Sequence, residues 1–310
     1  MTRRHRALRI AGWVALAAAL IVVLLNWTWG RLPAEPDPTG KFMQVGDVRI
    51  RYVERPGTGT PVVLIHGLPG TAEDFEDVLP RLRGRRAIAI DRPGFGFSSG
   101  GFHGFGDQIE SVDGLLEALR IPQAVVVGHS YGGTVALGLA ERHPERVAGL
   151  VLVDAGAGGV RMAATSRAEA RSIQALGLPV VQQLAHVTFA QAMLTATGKM
   201  GDAEAFDPDP VDPDHEARLL AVNMQDEDLD ALAGERLEAN DVFAEIDRRL
   251  PSVGTRAVVI QGAGDQLVAP EHARTLAAAL PNARLTMVPG GHMVTYAHPE
   301  VVAAAVRQFP

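Results

Sequence analysis

The chain has no cysteine in its 310 residues. That excludes a disulfide framework, a thiolate zinc site, an iron–sulfur cluster and a cysteine nucleophile. Beyond the first nine residues the chain also lacks any excess of positive charge. Four arginines fall within the first nine residues, and the remainder carries 25 basic residues against 36 acidic ones. A body so acidic is a poor surface for phosphate backbones, so no nucleic-acid partner is expected. No phosphate loop is present, and Gly94-Phe95-Gly96 is too short for a dinucleotide fingerprint. The acidic stretch from Asp202 to Glu216 lacks the spacing of a calcium loop and reads as a solvated segment. Neither metal nor cofactor is implied. With 47% hydrophobic and 21% charged residues, the composition excludes wholesale disorder and allows a large buried core.

The N-terminus reads as a membrane signal. Arg3, Arg4, Arg6 and Arg9 precede an uncharged stretch from Ile10 to Gly30. As a helix, those residues would rise about 31 Å, enough to cross a hydrocarbon core. Trp27 and Trp29 would sit at the far interface, and the arginines would stay in the cytoplasm. Residues 1–30 are therefore expected to form a single-pass anchor, with the rest of the chain outside the cytoplasm. A cleaved signal peptide and secretion form the alternative. Residues 31–41 contain three prolines and a glycine and read as a tether.

From Phe42 the pattern changes. Gly46-Asp47 turns a hairpin over 42–54, where Val48, Ile50 and Tyr52 alternate with polar residues. Short apolar runs then alternate with helical stretches. The runs are 62–65, 87–90, 124–127, 150–153, 257–260 and 285–288, and the helices cover roughly 72–82, 107–119, 132–142, 271–280 and 299–308. Runs rich in Val and Ile without polar alternation suit strands buried on both faces. The fold class is therefore α/β, with a mostly parallel, doubly wound sheet. In such sheets chemistry collects at the carboxyl ends of the strands. From about Gly156 to Leu250 the rhythm breaks, and that stretch reads as a helical insertion over one end of the sheet.

The sharpest chemical signal is Gly128-His129-Ser130-Tyr131-Gly132, between a strand and a helix. A serine on so tight a turn projects its hydroxyl, and flanking glycines let the backbones approach. The hydroxyl needs a base. His292, in Pro289-Gly290-Gly291-His292 after the last strand, is the candidate. His129 and His66 are read as structural. The histidine in turn needs an acid, and Asp265 at the end of Gly262-Ala263-Gly264-Asp265 is preferred to its competitor Asp154. Asp91, at the head of a glycine-rich loop, is read as holding that loop. Backbone N–H groups of Leu68 and Tyr131 are the expected oxyanion donors; Pro69 has no N–H to offer.

In this order the motifs resemble the α/β-hydrolase fold superfamily over about Phe42 to Pro310. The resemblance implies that the insertion from about Gly156 to Leu250 is a helical cap. The resemblance implies the serine branch, because Ser130 stands where dehalogenases and epoxide hydrolases carry aspartate. Leu68 interrupts the His-Gly-Gly-Pro-Gly loop of proline iminopeptidases. The implied activity is cleavage of an acyl bond, first a carboxylic ester, on a small-molecule acyl substrate. Carbon–carbon bond hydrolysis, cofactor-free haloperoxidase and acyltransferase chemistry, and a catalytically silent binding module stay open. Leu184, Phe189 and Met193 are candidates to line an acyl pocket or, equally, to form the core of the cap.

Overall fold

The computed structural model describes residues 5, 12–14, 16–21, 24, 35–162, 167–176, 190–223 and 226–310. Eight strands form one sheet in the order β1-β2-β4-β3-β5-β6-β7-β8. They are β1 (Lys41–Val45), β2 (Val48–Arg55), β3 (Thr58–Ile65), β4 (Arg85–Ile90), β5 (Ala124–His129), β6 (Val147–Val153), β7 (Ala257–Gly262) and β8 (Ala283–Val288). The hairpin β1–β2 joins the sheet antiparallel to β4, and every pairing from β4 to β8 is parallel. This is the mostly parallel sheet that the sequence pattern implies, in the α/β-hydrolase form expected from the resemblance.

Strand periodicity explains the two cores. Val63, Ile65, Val126 and Leu152 pack on one face, while Val62, Leu64, Val125 and Val151 pack on the other. Both faces are covered, so neither set alternates with polar residues. Each such side chain contributes roughly 1.5–3 kcal/mol by leaving water. The first face is covered by α1 (Phe105–Ala118), α2 (Tyr131–Arg142) and α7 (Pro270–Ala279), and the second by a 3₁₀ turn (Ala72–Phe75) and α9 (Pro299–Val306). Between β6 and β7 the described residues form α3 (Arg167–Leu176), α4 (Ala190–Phe206), α5 (Pro213–Ala221) and α6 (Asp226–Arg249). A one-turn helix α8 (Val294–Ala297) precedes α9.

Three expectations need correction. The helix expected over 72–82 is instead two 3₁₀ turns, Ala72–Phe75 and Leu79–Arg81; Pro80 supplies no N–H for a continuous ladder. Strand β8 is the sheet edge and alternates partly exposed with exposed positions, so it is not buried on both faces. The membrane anchor, and the extracytoplasmic placement resting on it, is not supported. Among the described residues no helix is long and apolar enough to cross a membrane, which takes about 20 consecutive residues. In that stretch, positions 12–14, 16–21 and 24 are helical and exposed. The rest of 10–34 lies outside the described residues, as do Leu184, Phe189 and the side chain of Met193.

Candidate active site

Ser130 closes the turn between β5 and α2 with φ 52° and ψ −122°. A non-glycine residue with positive φ is strained and persists only when its surroundings fix it. Here they do. The N–H of Ser130 donates to Val153 O at 2.9 Å, and its carbonyl accepts from Gly133 N at 2.9 Å and Gly156 N at 3.0 Å. The flanking glycines are needed for close approach. A Cβ on Gly128 would stand 2.4 Å from Gly132 O, and one on Gly132 would stand 2.2 Å from Ile65 O. This last contact packs the turn against the end of β3, where the His66–Gly70 loop begins. Gly67 lies so near that an added Cβ would be 3.0 Å from Ser130 Cβ.

Asp265 and His292 meet across neighbouring loops after β7 and β8. His292 Nδ1 is 2.8 Å from Asp265 Oδ2. That carboxylate is fully engaged: Oδ1 accepts from Leu267 N at 2.8 Å and Val268 N at 2.9 Å, and Oδ2 also accepts from Gln261 Nε2 at 2.8 Å. Burial alone would raise Asp265, but the hydrogen bond and charge of His292 leave its pKa below the ordinary value. Burial alone would likewise lower His292, and Asp265 outweighs it, so the imidazole pKa is raised. The two rings His129 and His292 sit 4.9 Å apart, and His129 Nε2 donates to the carbonyl of His292 at 2.9 Å. Burial, then the neighbouring His292, lowers His129 to about 3, so it stays neutral. Ser130 Oγ and His292 Nε2 are not hydrogen-bonded in this structure; such bonds often tighten only around substrate.

Asp154, the competing acid, follows β6 with φ 46°. Its Oδ1 accepts from Gly262 N at 2.8 Å and its Oδ2 is buried without a partner. Burial drives its pKa well above the ordinary value. Ligand atoms of His129, Asp154 and His292 lie within 4.8 Å of one another, although Nε2 of His129 and Nδ1 of His292 are already committed to hydrogen bonds. Asp91 holds its loop as expected: it accepts from Ala72 N at 2.7 Å and Phe97 N at 2.9 Å and faces the buried Arg51.

The segment between β6 and β7 reaches this site in ways the sequence did not signal. Ala205 O accepts from His292 N at 2.9 Å, and Asp209 Oδ2 accepts from Gly291 N at 3.1 Å. Asp202, expected in a solvated stretch, is buried near the end of α4 with its carboxylate 2.9 Å from His215 Nδ1. Helix α6 sends Glu235 onto Arg92, an ion pair with both side chains 0% exposed. Arg92 follows Asp91 in its loop, and only the tertiary structure reveals a partner 143 residues away.

A family model described as the alpha/beta hydrolase fold matches residues 60–299. A Pseudomonas putida protein named 2-hydroxymuconate semialdehyde hydrolase is 31% identical over 264 residues, 82% of this chain and 88% of that protein. A protein of the same name from Pseudomonas sp. (strain CF600) is 43% identical over 121 residues, 37% of this chain; the match spans only 42% of that relative's length. Among solved structures, a hydrolase from Pseudomonas aeruginosa PA01 superposes with TM-score 0.69 at 25% identity, covering 88% of this chain and 99% of that one.

Proposed function

Because the chain belongs to the alpha/beta hydrolase fold family, we propose that it is a serine hydrolase that cleaves an acyl bond, a carboxylic ester first. The observation that carries this reading is the buried Asp265–His292 pair at 2.8 Å, set beside the strained turn that presents Ser130. In the proposed cycle Ser130 Oγ attacks the substrate carbonyl carbon and its proton passes to His292 Nε2. Asp265 holds the opposite ring nitrogen and steadies the imidazolium. The N–H groups of Leu68 and Tyr131 receive the oxyanion; Tyr131 is the first residue of α2, where backbone donors have no intrahelical partner. His292 returns the proton to the leaving alcohol. A water, deprotonated by the same histidine, then releases the acid from Ser130. The segment between β6 and β7 acts as a cap, supported by its contacts through Ala205, Asp209 and Glu235.

Hydrolysis of a carbon–carbon bond on the same residues is the second reading, favoured by the 31% identity to a 2-hydroxymuconate semialdehyde hydrolase across 82% of the chain. A panel of simple esters of graded acyl length, set against a vinylogous diketone, separates the two. Ester turnover that disappears in Ser130→Ala supports the first reading. Cleavage of the diketone without ester turnover replaces it with the second.

A further inference from the structure

The Arg92–Glu235 pair stands next to the site, and neither residue has a step in the proposed cycle. Arg92 wraps the His66–Gly67 segment with three donors. Its main-chain N–H donates to His66 Nε2 at 2.9 Å, its Nε to His66 O at 3.1 Å, and a terminal nitrogen to Gly67 O at 2.7 Å. His66 Nδ1 donates to the same Gly67 carbonyl at 2.9 Å. The guanidinium is itself fixed, by Glu235 Oε2 at 3.0 Å and by the rings of Phe95 and Tyr131 at 4.6 and 5.1 Å.

The covalent geometry of one peptide turns this into a consequence. The Gly67–Leu68 bond is trans, so the N–H of Leu68 points opposite to the carbonyl of Gly67. Two donors pin that carbonyl on the Arg92 side. The Leu68 N–H is thereby pinned on the other side of a peptide whose Gly67 leaves so little room that an added Cβ would stand 3.0 Å from Ser130 Cβ. Meanwhile the guanidinium packs on the ring of Tyr131, the residue whose N–H is the second donor. We infer that Arg92, locked by Glu235 on α6, is a positioning residue that sets the oxyanion donor of Leu68 and couples it to the inserted helices. This rests on the serine-hydrolase reading above.

Two variants test it. Arg92→Lys keeps a positive charge against Glu235 but cannot bridge two carbonyls and a carboxylate at once. The double variant Arg92→Met with Glu235→Leu removes the clamp without stranding a buried charge. Both are read by kcat, KM and affinity for an aryl boronic acid, whose adduct on Ser130 carries an oxyanion, with the acid product as a ground-state control. The expected result is a kcat loss of about 10²-fold with KM changed less than about twofold. Boronate affinity should fall in parallel and product affinity should hold. Wild-type kcat and boronate affinity in either folded variant overturn the inference, and so does failure of both variants to fold, which would make the pair structural. Wild-type protein that neither hydrolyses an ester nor is labelled at Ser130 by a fluorophosphonate defeats the underlying reading instead.

Discussion

The side chain of His129 donates through Nε2 to the main-chain carbonyl of His292 at 2.9 Å. The residue before the proposed nucleophile is thus tied to the backbone of the proposed base, although 163 positions separate them. The sheet brings both to the carboxyl edge, and this bond fixes how far the two loops can separate. His129→Phe keeps the ring and removes the donor, leaving a buried carbonyl unpaired at a cost of roughly 1–3 kcal/mol. Thermal unfolding should show that loss, and kcat should fall about tenfold, as a misplaced base implies. A variant with wild-type kcat would show that the tie is dispensable.

The two candidate acids predict different losses. Asp265→Asn removes the charge that stabilises the imidazolium and presents an amide to His292 Nδ1, so kcat should drop on the order of 10³–10⁴-fold. In Asp154→Asn the acceptor for Gly262 N–H survives. Burial already favours a neutral carboxyl there, so kcat should stay within about fivefold of the parent. Steady-state kinetics of the two variants, measured side by side, decide the assignment. The reverse order would make Asp154 the third member.

The pH dependence follows from the same pair. As the proposed base, His292 would have to be neutral to accept a proton, and its pKa lies above the ordinary 6.5 because Asp265 outweighs burial. The acid limb of kcat/KM should therefore fall at an apparent pKa above 6.5, and in Asp265→Asn it should move lower, since burial is then opposed only by the smaller effect of Asp154. Stability runs with the signs of the two shifts. The raised histidine contributes fully below 6.5 and loses that contribution as pH rises through its folded value. The depressed aspartate contributes above 3.8 and loses it as pH falls through its folded value. The pair thus stabilises most between about 4 and about 6.5. Thermal melts across pH should show the advantage of the parent protein over the Asp265→Asn variant concentrated in that window.

Gly132 offers a test of the turn. A methyl there meets two carbonyls, Ile65 O at 2.2 Å and His66 O at 2.4 Å. These are backbone atoms at the end of a central strand and cannot swing aside. Gly132→Ala should cost about 2–4 kcal/mol by forcing the turn off β3, with activity lost along with the geometry. Chemical denaturation measures the first and ester turnover the second.

Much of this site is legible in the sequence because its signals are local. A run such as Ala124–Val127 followed by Gly-x-Ser-x-Gly announces a strand, a turn and a helix within a dozen residues. Asp265 and His292 each follow a strand directly, so the parallel sheet brings them to one edge. What escaped was long-range. Nothing near Arg92 points to Glu235, and nothing near His292 points to Ala205, because both contacts depend on how helices after β6 settle on the sheet. Asp202 read as a solvated acid for the same reason: its partner His215 stands on the next helix. The expected anchor had composition on its side, but apolar composition alone does not make a described spanning helix.

Every step proposed above needs Ser130 to be an activated nucleophile, and intact-protein mass spectrometry after exposure to a fluorophosphonate reads that property itself. A single covalent adduct on Ser130 is expected in the folded protein, absent from Ser130→Ala and strongly slowed in His292→Ala. A folded protein left unlabelled at Ser130, or an adduct formed at equal rate without His292, would refute the assignment.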